Sequence, residues 1–267
     1  MVPQGKGVPL KKQHKGIYLL PNGVTIAALF CGFYAIVMSL NLDFRQSTVA
    51  IFLGMILDSM DGRLARLTRT QSEFGAQLDS LSDMVTFGVA PALVAYEWAL
   101  KGMGKIGWVA AFIYCVCAAL RLARFNTNIA VVDKRFFQGL PSPAAAGIVA
   151  GLIWFMVDVN IAASDADWAC WIITLISGLT MVTNLPFYSF KSMPLQKSVP
   201  FILVIVVVLL LVAIVFDPPK VLFTLFVVYG LSGYVLYLYG KARGKSVSLI
   251  QTKIEPDTDE AHHSESA

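Results

Sequence analysis

Four aspartates, Asp58, Asp61, Asp79 and Asp83, lie within a run of 26 residues in a sequence that is otherwise strongly apolar. An ionisable side chain in a membrane segment costs roughly 2.5–3.5 kcal/mol on insertion scales, unless it is paired, hydrated or bound to a metal. Four like charges would repel one another, and divalent cations, which prefer hard oxygen ligands, would relieve that repulsion. The cluster therefore predicts a site for divalent cations such as Mg²⁺, Mn²⁺ or Ca²⁺.

The spacing of these residues places them on two helix faces. Asp58 and Asp61 are three residues apart, which puts them on one face of a helix. Gly75, Asp79 and Asp83 are spaced by four, so two carboxylates stack above a glycine on the next helix. Two adjacent antiparallel helices would then enclose a small volume between paired carboxylates at the cytoplasmic edge of the membrane.

Small and basic residues border this volume. Gly62, Ala65 and Gly75 leave space beside the carboxylates, where a bulky side chain would block a ligand. Arg66 lies at the mouth of the cleft, and the planar donor fork of arginine can bind phosphate bidentately. Metal-holding carboxylates beside an arginine indicate a pyrophosphate substrate and an in-line displacement at phosphorus.

The composition indicates a membrane protein. Hydrophobic residues make up 57% of the 267 residues and charged residues only 14%, against about 25% charged residues in soluble proteins. The sequence predicts an all-α, polytopic integral membrane helical bundle with about eight transmembrane helices. One membrane domain at residues 17–245 would lie between polar tails at 1–16 and 246–267. The predicted spans cover residues 22–41, 47–64, 78–100, 106–124, 143–159, 167–184, 199–216 and 220–240.

The distribution of Lys and Arg sets the predicted orientation. With the N-terminus inside the cell, 17 of the 21 basic residues fall in cytoplasmic segments, which is the asymmetry of the positive-inside rule. Both termini and the segment from Asp58 to Asp83 are therefore expected to face the cytoplasm. The protein is expected to be a multi-pass protein of the inner (cytoplasmic) membrane.

The acidic segment carries a pattern with fixed gaps: Asp58-x-x-Asp61-Gly62-x-x-Ala65-Arg66, then eight residues, then Gly75-x-x-x-Asp79-x-x-x-Asp83. This pattern resembles the signature of the CDP-alcohol phosphotransferases. The resemblance implies a membrane enzyme in which an alcohol attacks a CDP-activated group and releases CMP. It also implies a metal cofactor, Mg²⁺ or Mn²⁺ with two ions expected, and roles for the residues: metal ligation by Asp58, Asp61 and Asp79, ligation and general-base catalysis by Asp83, and shaping of the CDP site by Gly62, Ala65, Arg66 and Gly75.

Three further segments, at residues 120–126, 137–145 and 187–191, resemble the bacterial phosphatidylserine synthases of this superfamily. The resemblance implies CDP-diacylglycerol and L-serine as substrates, membrane lipid around the protein and no nucleic acid partner, while a homodimer stays open. One arginine would bind the diphosphate and another the serine carboxylate. The residues that the resemblance places at the substrates are Arg121, Arg124, Asn126, Gly139, Pro141, Ser142 and Lys191.

These assignments have structural alternatives. The aspartates could form salt bridges with nearby arginines, and Arg121 and Arg124 could anchor their helix at the lipid headgroups. Lys191 could contact anionic lipid. Residues 139–143 could form a turn before a helix, and Asn126 could be a local cap.

The reaction itself also has alternatives. Asp83 would accept the proton of the serine hydroxyl as that oxygen attacks phosphorus. Direct displacement is favoured because no histidine or cysteine lies beside the motif, although an aspartyl intermediate stays open. The acceptor could instead be glycerol 3-phosphate or inositol phosphate. A cation transporter is disfavoured, since the acids lie near one membrane face and no inverted repeat is evident.

Overall fold

A computed structural model describes residues 19–68, 72–127, 136–188 and 201–242. The two polar tails and Lys191 lie outside these residues. A π-helical segment, Met84–Val89, joins the third and fourth helices, and a 3₁₀ turn, Leu100–Met103, follows the fourth. The helices are α1 (Leu19–Leu40), α2 (Phe44–Leu67), α3 (Glu73–Asp83), α4 (Ala90–Trp98), α5 (Lys105–Thr127), α6 (Ser142–Asp158), α7 (Ala163–Val182), α8 (Phe201–Phe216) and α9 (Pro218–Ala242).

Each of the eight predicted spans coincides with a helical segment. The third span corresponds to α3, the π-helical segment and α4, which form one continuous helical rod. Helices α6 and α8 are apolar but shorter than the others, and α2 carries charged residues of the acidic segment at its C-terminal end. The protein is therefore an all-α polytopic membrane protein, as the sequence predicts. Among the described residues, five segments are long and apolar enough to cross a membrane by themselves: Pro21–Leu40, Glu73–Trp98, Lys105–Thr127, Ala163–Val182 and Pro218–Ala242.

Helix α6 lies at the centre of the bundle and packs against α2, α7 and α9. Its small residues allow close approach, as is typical of helix contacts in membranes. A Cβ added to Gly147 would lie 2.7 Å from the ring of Phe226 on α9, and one added to Gly151 would lie 3.1 Å from Phe223. At the edge of the bundle, α8 packs against α9, and none of its described residues is buried.

Thr86, in the π-helical segment, is wedged between α1 and α2. A Cβ added to Gly32 on α1 would lie 2.6 Å from the Thr86 Oγ1 atom, and one added to Gly54 on α2 would lie 2.7 Å from its Cγ2 atom. The Thr86 hydroxyl donates a hydrogen bond to the carbonyl of Ala28 at 3.2 Å. The helical rod that carries Asp79 and Asp83 therefore packs closely against α1 and α2 at Thr86, just after Asp83.

A short antiparallel ribbon, which the sequence did not predict, pairs β1 (Phe136–Gln138) with β2 (Pro186–Tyr188). Gly139 follows β1 with a φ of 77°, a left-handed conformation that favours glycine. Its N–H donates to the carbonyl of Leu185 at 2.9 Å, and the N–H of Leu140 donates to the carbonyl of Thr180 at 3.1 Å. The ribbon thus fixes the segment that leads into α6 against the end of α7.

Candidate active site

Three of the four aspartates form a compact group between α2 and α3. Asp58 and Asp61 come from the last turns of α2, Asp79 comes from α3, and one carboxylate oxygen of each lies within 4.8 Å of the others. Oxygen ligands lie about 2.0–2.6 Å from Mg²⁺ or Ca²⁺, so two ligands across one ion are about 4–5 Å apart. The group fits the donor set and the spacing of a divalent cation site.

Asp83 adjoins this group, one helical turn after Asp79. Its carboxyl group lies within hydrogen-bond reach of that of Asp58, and its other charged neighbours are Asp79 and Arg121. Carboxylates this close repel one another, and a cation or a proton between them relieves that repulsion. The structure therefore brings together the four aspartates that the spacing predicts to face one another.

Helix α1 supports the group through Thr25, which sequence reasoning missed. The Thr25 hydroxyl donates to the Asp61 carboxylate at 2.8 Å, and the Thr25 carbonyl accepts a hydrogen bond from the Ser82 hydroxyl at 3.1 Å. All three side chains are buried. One residue of α1 thus ties the acidic end of α2 to α3, and its only signal in the sequence is a hydroxyl near the cytoplasmic end of the first span.

The small residues of the signature lie in different surroundings. Gly62 borders open space, since nothing lies within 4 Å of a Cβ added there, and Ala65 is half-buried. A Cβ added to Gly75 would lie 3.2 Å from the Oγ atom of Ser72 and 3.3 Å from the Oδ1 atom of Asn22. Gly75 therefore allows α1 and the start of α3 to approach closely, whereas Gly62 leaves space for a ligand.

Two arginines of the predicted site lie on different helices and differ in exposure. Arg66 is exposed, and its Nε atom donates to the carbonyl of Gly62 at 3.0 Å. Arg121 is half-buried on α5, and its Nη1 atom donates to the hydroxyl of Ser142, the first residue of α6, at 2.6 Å. Since Asp83 and Asp58 are among its charged neighbours, Arg121 places a cation near the acidic group.

The remaining predicted residues lie around this centre without all facing it. Asn126 donates from Nδ2 to the Ser80 hydroxyl at 3.0 Å, which joins α5 to α3 beside Asp79. Pro141 is half-buried and precedes the fully buried Ser142, while Gly139 packs against the end of α7. Arg124 donates to the backbone carbonyls of β1 and α7.

Tyr229 on α9 is a second residue that sequence reasoning missed. Its hydroxyl donates to the carbonyl of Tyr188 at 3.3 Å, and its ring lies 5.8 Å from that of Phe187, centre to centre. Tyr229 is also a neighbour of Arg121. A tyrosine midway along an apolar span, away from the interfacial belts where this residue is enriched, was the available signal.

Comparison with known proteins agrees with this geometry. A family model described as CDP-alcohol phosphatidyltransferase matches residues 18–182. A curated CDP-diacylglycerol--serine O-phosphatidyltransferase from Helicobacter pylori is 32% identical over 215 residues, which cover 80% of this chain and 90% of the relative. A relative of the same name from Methanocaldococcus jannaschii is 31% identical over 84% of this chain and 96% of its own length. Another, from Bacillus subtilis, is 40% identical over 47% of this chain and 70% of its own length. The chain therefore belongs to the CDP-alcohol phosphatidyltransferase family.

Proposed function

We propose that this enzyme transfers the phosphatidyl group of CDP-diacylglycerol to L-serine, which yields phosphatidylserine and CMP. The observation that carries the proposal is the juxtaposition of the acidic group with Arg121 and Ser142, in a family member whose curated relatives are named for this reaction. The acidic group suits a diphosphate bound with a divalent cation. The half-buried arginine and the buried hydroxyl suit a small, polar acceptor that carries a carboxylate.

Asp58, Asp61 and Asp79 would hold a divalent cation, Mg²⁺ or Mn²⁺, and Asp83 brings the number of carboxylates to four, enough for two ions. Such ions neutralise the charge of a diphosphate and favour departure of the leaving group. The fit rests on the three oxygen atoms within 4.8 Å of one another.

Asp83 would act as the general base. It is half-buried and adjoins both the acidic group and Arg121, so an acceptor held by Arg121 would have its hydroxyl near this carboxylate. A base must reach the proton within about 3 Å, directly or through water. As the proton moves to Asp83, the serine oxygen bonds to the lipid-side phosphorus, and the bond from that phosphorus to the CMP oxygen breaks.

A site on the cytoplasmic face is supported by the end of the bundle at which these groups meet. The C-terminal end of α2, the C-terminal half of α3, the end of α5 and the start of α6 all contribute to the site. The basic residues Arg63 and Arg66 lie at the same end, and basic residues favour the cytoplasmic side. Serine and CMP would exchange with the cytosol, while the lipid chains enter laterally between apolar helices.

The acceptor is tested by supplying the purified enzyme with CDP-diacylglycerol and Mg²⁺ or Mn²⁺, and with serine, glycerol 3-phosphate or inositol phosphate in parallel. We expect CMP release to depend on serine, with phosphatidylserine as the lipid product. Equal or greater release with a phosphorylated acceptor would reject serine but retain the family chemistry. Movement of the metal across proteoliposomes without CMP release would instead support a transporter.

A further inference from the structure

Arg124 lies one helical turn after Arg121 on α5, and its guanidinium group contacts the backbone of two other segments. Its Nη2 atom donates to the carbonyl of Gln138 at 3.0 Å and to that of Thr183 at 3.2 Å. Its Nη1 atom donates to the carbonyl of Val182 at 3.1 Å and to the Oδ1 atom of Asn184 at 3.2 Å. The Nη2 atom therefore joins β1 to the residue that follows α7, and the Nη1 atom contacts the end of α7.

The end of a helix is a favourable place for such a cation. The last carbonyls of a helix have no partner within the helix and carry a partial negative charge. Val182 is the last residue of α7, and Thr183 follows it. A planar guanidinium with five donors in fixed directions can join several carbonyls at once, which a lysine ammonium does not reproduce.

The segment that Arg124 holds leads directly to the other arginine. Gly139 follows Gln138, and a Cβ added to it would lie 2.8 Å from the Thr183 oxygen, so this backbone is packed tightly on the end of α7. Three residues further on, Ser142 accepts the hydrogen bond from Arg121. The position of the Ser142 hydroxyl thus depends on how firmly β1 and Gly139 are fixed.

We propose that Arg124 is a positioning residue that clamps β1 to the end of α7, so that Ser142 holds Arg121 beside Asp83. The two arginines, which sequence reasoning assigns jointly to the substrates, then have separate roles. Arg121 faces the acidic group. Arg124 fixes the backbone of residues 138–142 and thereby the position of Arg121. The kinetic part of this inference rests on the proposed function, because it needs an acceptor at Arg121.

The clamp is tested first without any substrate, by hydrogen exchange of the full chain in detergent. Arg124→Gln and Arg124→Lys should both raise deuterium uptake in peptides that contain the amides of Gly139 and Leu140, by about tenfold in rate, since hydrogen bonds to charged groups are lost. Arg45→Gln, an exposed arginine at the opposite end of α2, is the matched control and should change nothing there. Unchanged uptake at Gly139 and Leu140 in both Arg124 variants would overturn the clamp.

The second measurement separates positioning from substrate binding. For Arg124→Gln we expect kcat/KM for serine to fall by about tenfold, because Arg121 holds the acceptor, with the affinity for CMP nearly unchanged, and Arg124→Lys should resemble it despite its charge. A raised KM for serine alone, restored by Arg124→Lys, would make Arg124 a substrate ligand and reject the proposal. If the unaltered enzyme shows no serine-dependent CMP release, the proposed acceptor fails, while the exchange measurement still decides the clamp.

A milder variant covers the case in which Arg124→Gln does not fold. Asn184→Ala removes one side-chain acceptor of the Arg124 Nη1 atom and leaves the carbonyl contacts in place. We expect a smaller rise in uptake at the same two amides and a smaller fall in kcat/KM for serine. A rise spread over all helices instead would contradict a local clamp.

Discussion

Asp61 is the most enclosed of the four aspartates, with 4% of its surface exposed, and a hydroxyl from another helix helps to fix its carboxylate. A carboxylate that ligates a metal is usually oriented by such a partner, which makes its oxygen atoms available in one direction. Thr25 therefore belongs to the site although it lies more than thirty residues before Asp61 in the sequence.

Thr25→Val keeps the shape of the side chain and removes the hydroxyl. We expect the apparent affinity for Mg²⁺ or Mn²⁺, measured as the metal dependence of CMP release, to fall by about tenfold, since partners of metal ligands typically contribute 10–100-fold. Thr25→Ser retains the hydroxyl and should stay close to the unaltered enzyme. An equal loss in both variants would mean that packing, and not the hydrogen bond, is what matters.

Asp83→Asn removes the proposed base with little change in volume. We expect CMP release to be lost while substantial binding of CDP-diacylglycerol is retained, because the group of Asp58, Asp61 and Asp79 remains. Lipid binding and CMP release are measured on the same preparation. Asp158→Asn, an exposed aspartate at the other end of the bundle, is the control, and near-normal turnover by Asp83→Asn would remove Asp83 from the role of base.

At the scale of the helices, the π-helical segment after Asp83 determines how the rod formed by α3, this segment and α4 packs against α1 and α2. Such segments inside α-helices are frequent at functional sites. Here it carries Thr86, which fills the space left by Gly32 and Gly54. The close contact fixes α3, and with it Asp79 and Asp83, relative to the two aspartates of α2.

Gly54→Ala should lower stability, because the added methyl group would lie 2.7 Å from the Thr86 Cγ2 atom and overpacking costs about 1–3 kcal/mol. Thr86→Ser removes that Cγ2 atom, so the double variant should regain much of the lost thermal stability in detergent. Gly23→Ala is the control, since nothing lies within 4 Å of a Cβ there. Strictly additive losses in the double variant would contradict the proposed contact.

Helix periodicity explains why the aspartate faces could be predicted from the sequence, since residues three or four apart on a helix share a face whatever the helix packs against. The partners of Arg124 could not be predicted in this way. Most of them are backbone atoms, on a strand of three residues and on a helix end almost sixty positions away, and neither segment leaves a pattern in the side chains. The same holds for the contact between Thr25 and Asp61.

At the scale of the whole molecule, hydropathy predicted the helical rods because each must bury its backbone groups within itself to cross lipid. It did not predict which helix is central. The position of α6 follows from small residues such as Gly147 and Gly151, which admit α9, and small residues are common throughout such sequences. The packing arrangement of the helices could therefore not be predicted from hydropathy and is given by the structure.

The orientation is tested by labelling single cysteines in inverted and right-side-out vesicles. Arg63→Cys, at the acidic end of α2, should react with an impermeant thiol reagent from the cytoplasmic side, and Lys101→Cys from the opposite side. Both positions are exposed, whereas of the four native cysteines Cys117 and Cys170 are buried and Cys31 and Cys115 are half-buried, so all four are replaced in the single-cysteine variants. Labelling in the reverse sense would place the site on the outer face.

The short length of α6 has a consequence for how the two substrates meet. Its 17 residues span about 25 Å at 1.5 Å per residue, whereas the hydrocarbon core of a bilayer is about 30 Å thick. If Asp158 lies at the outer surface of the hydrocarbon core, Ser142 and its partner Arg121 lie a few ångströms inside the hydrocarbon core, below its cytoplasmic surface. A lipid could then reach Arg121 with its chains still immersed in hydrocarbon, and the water-soluble partner would have to descend to it.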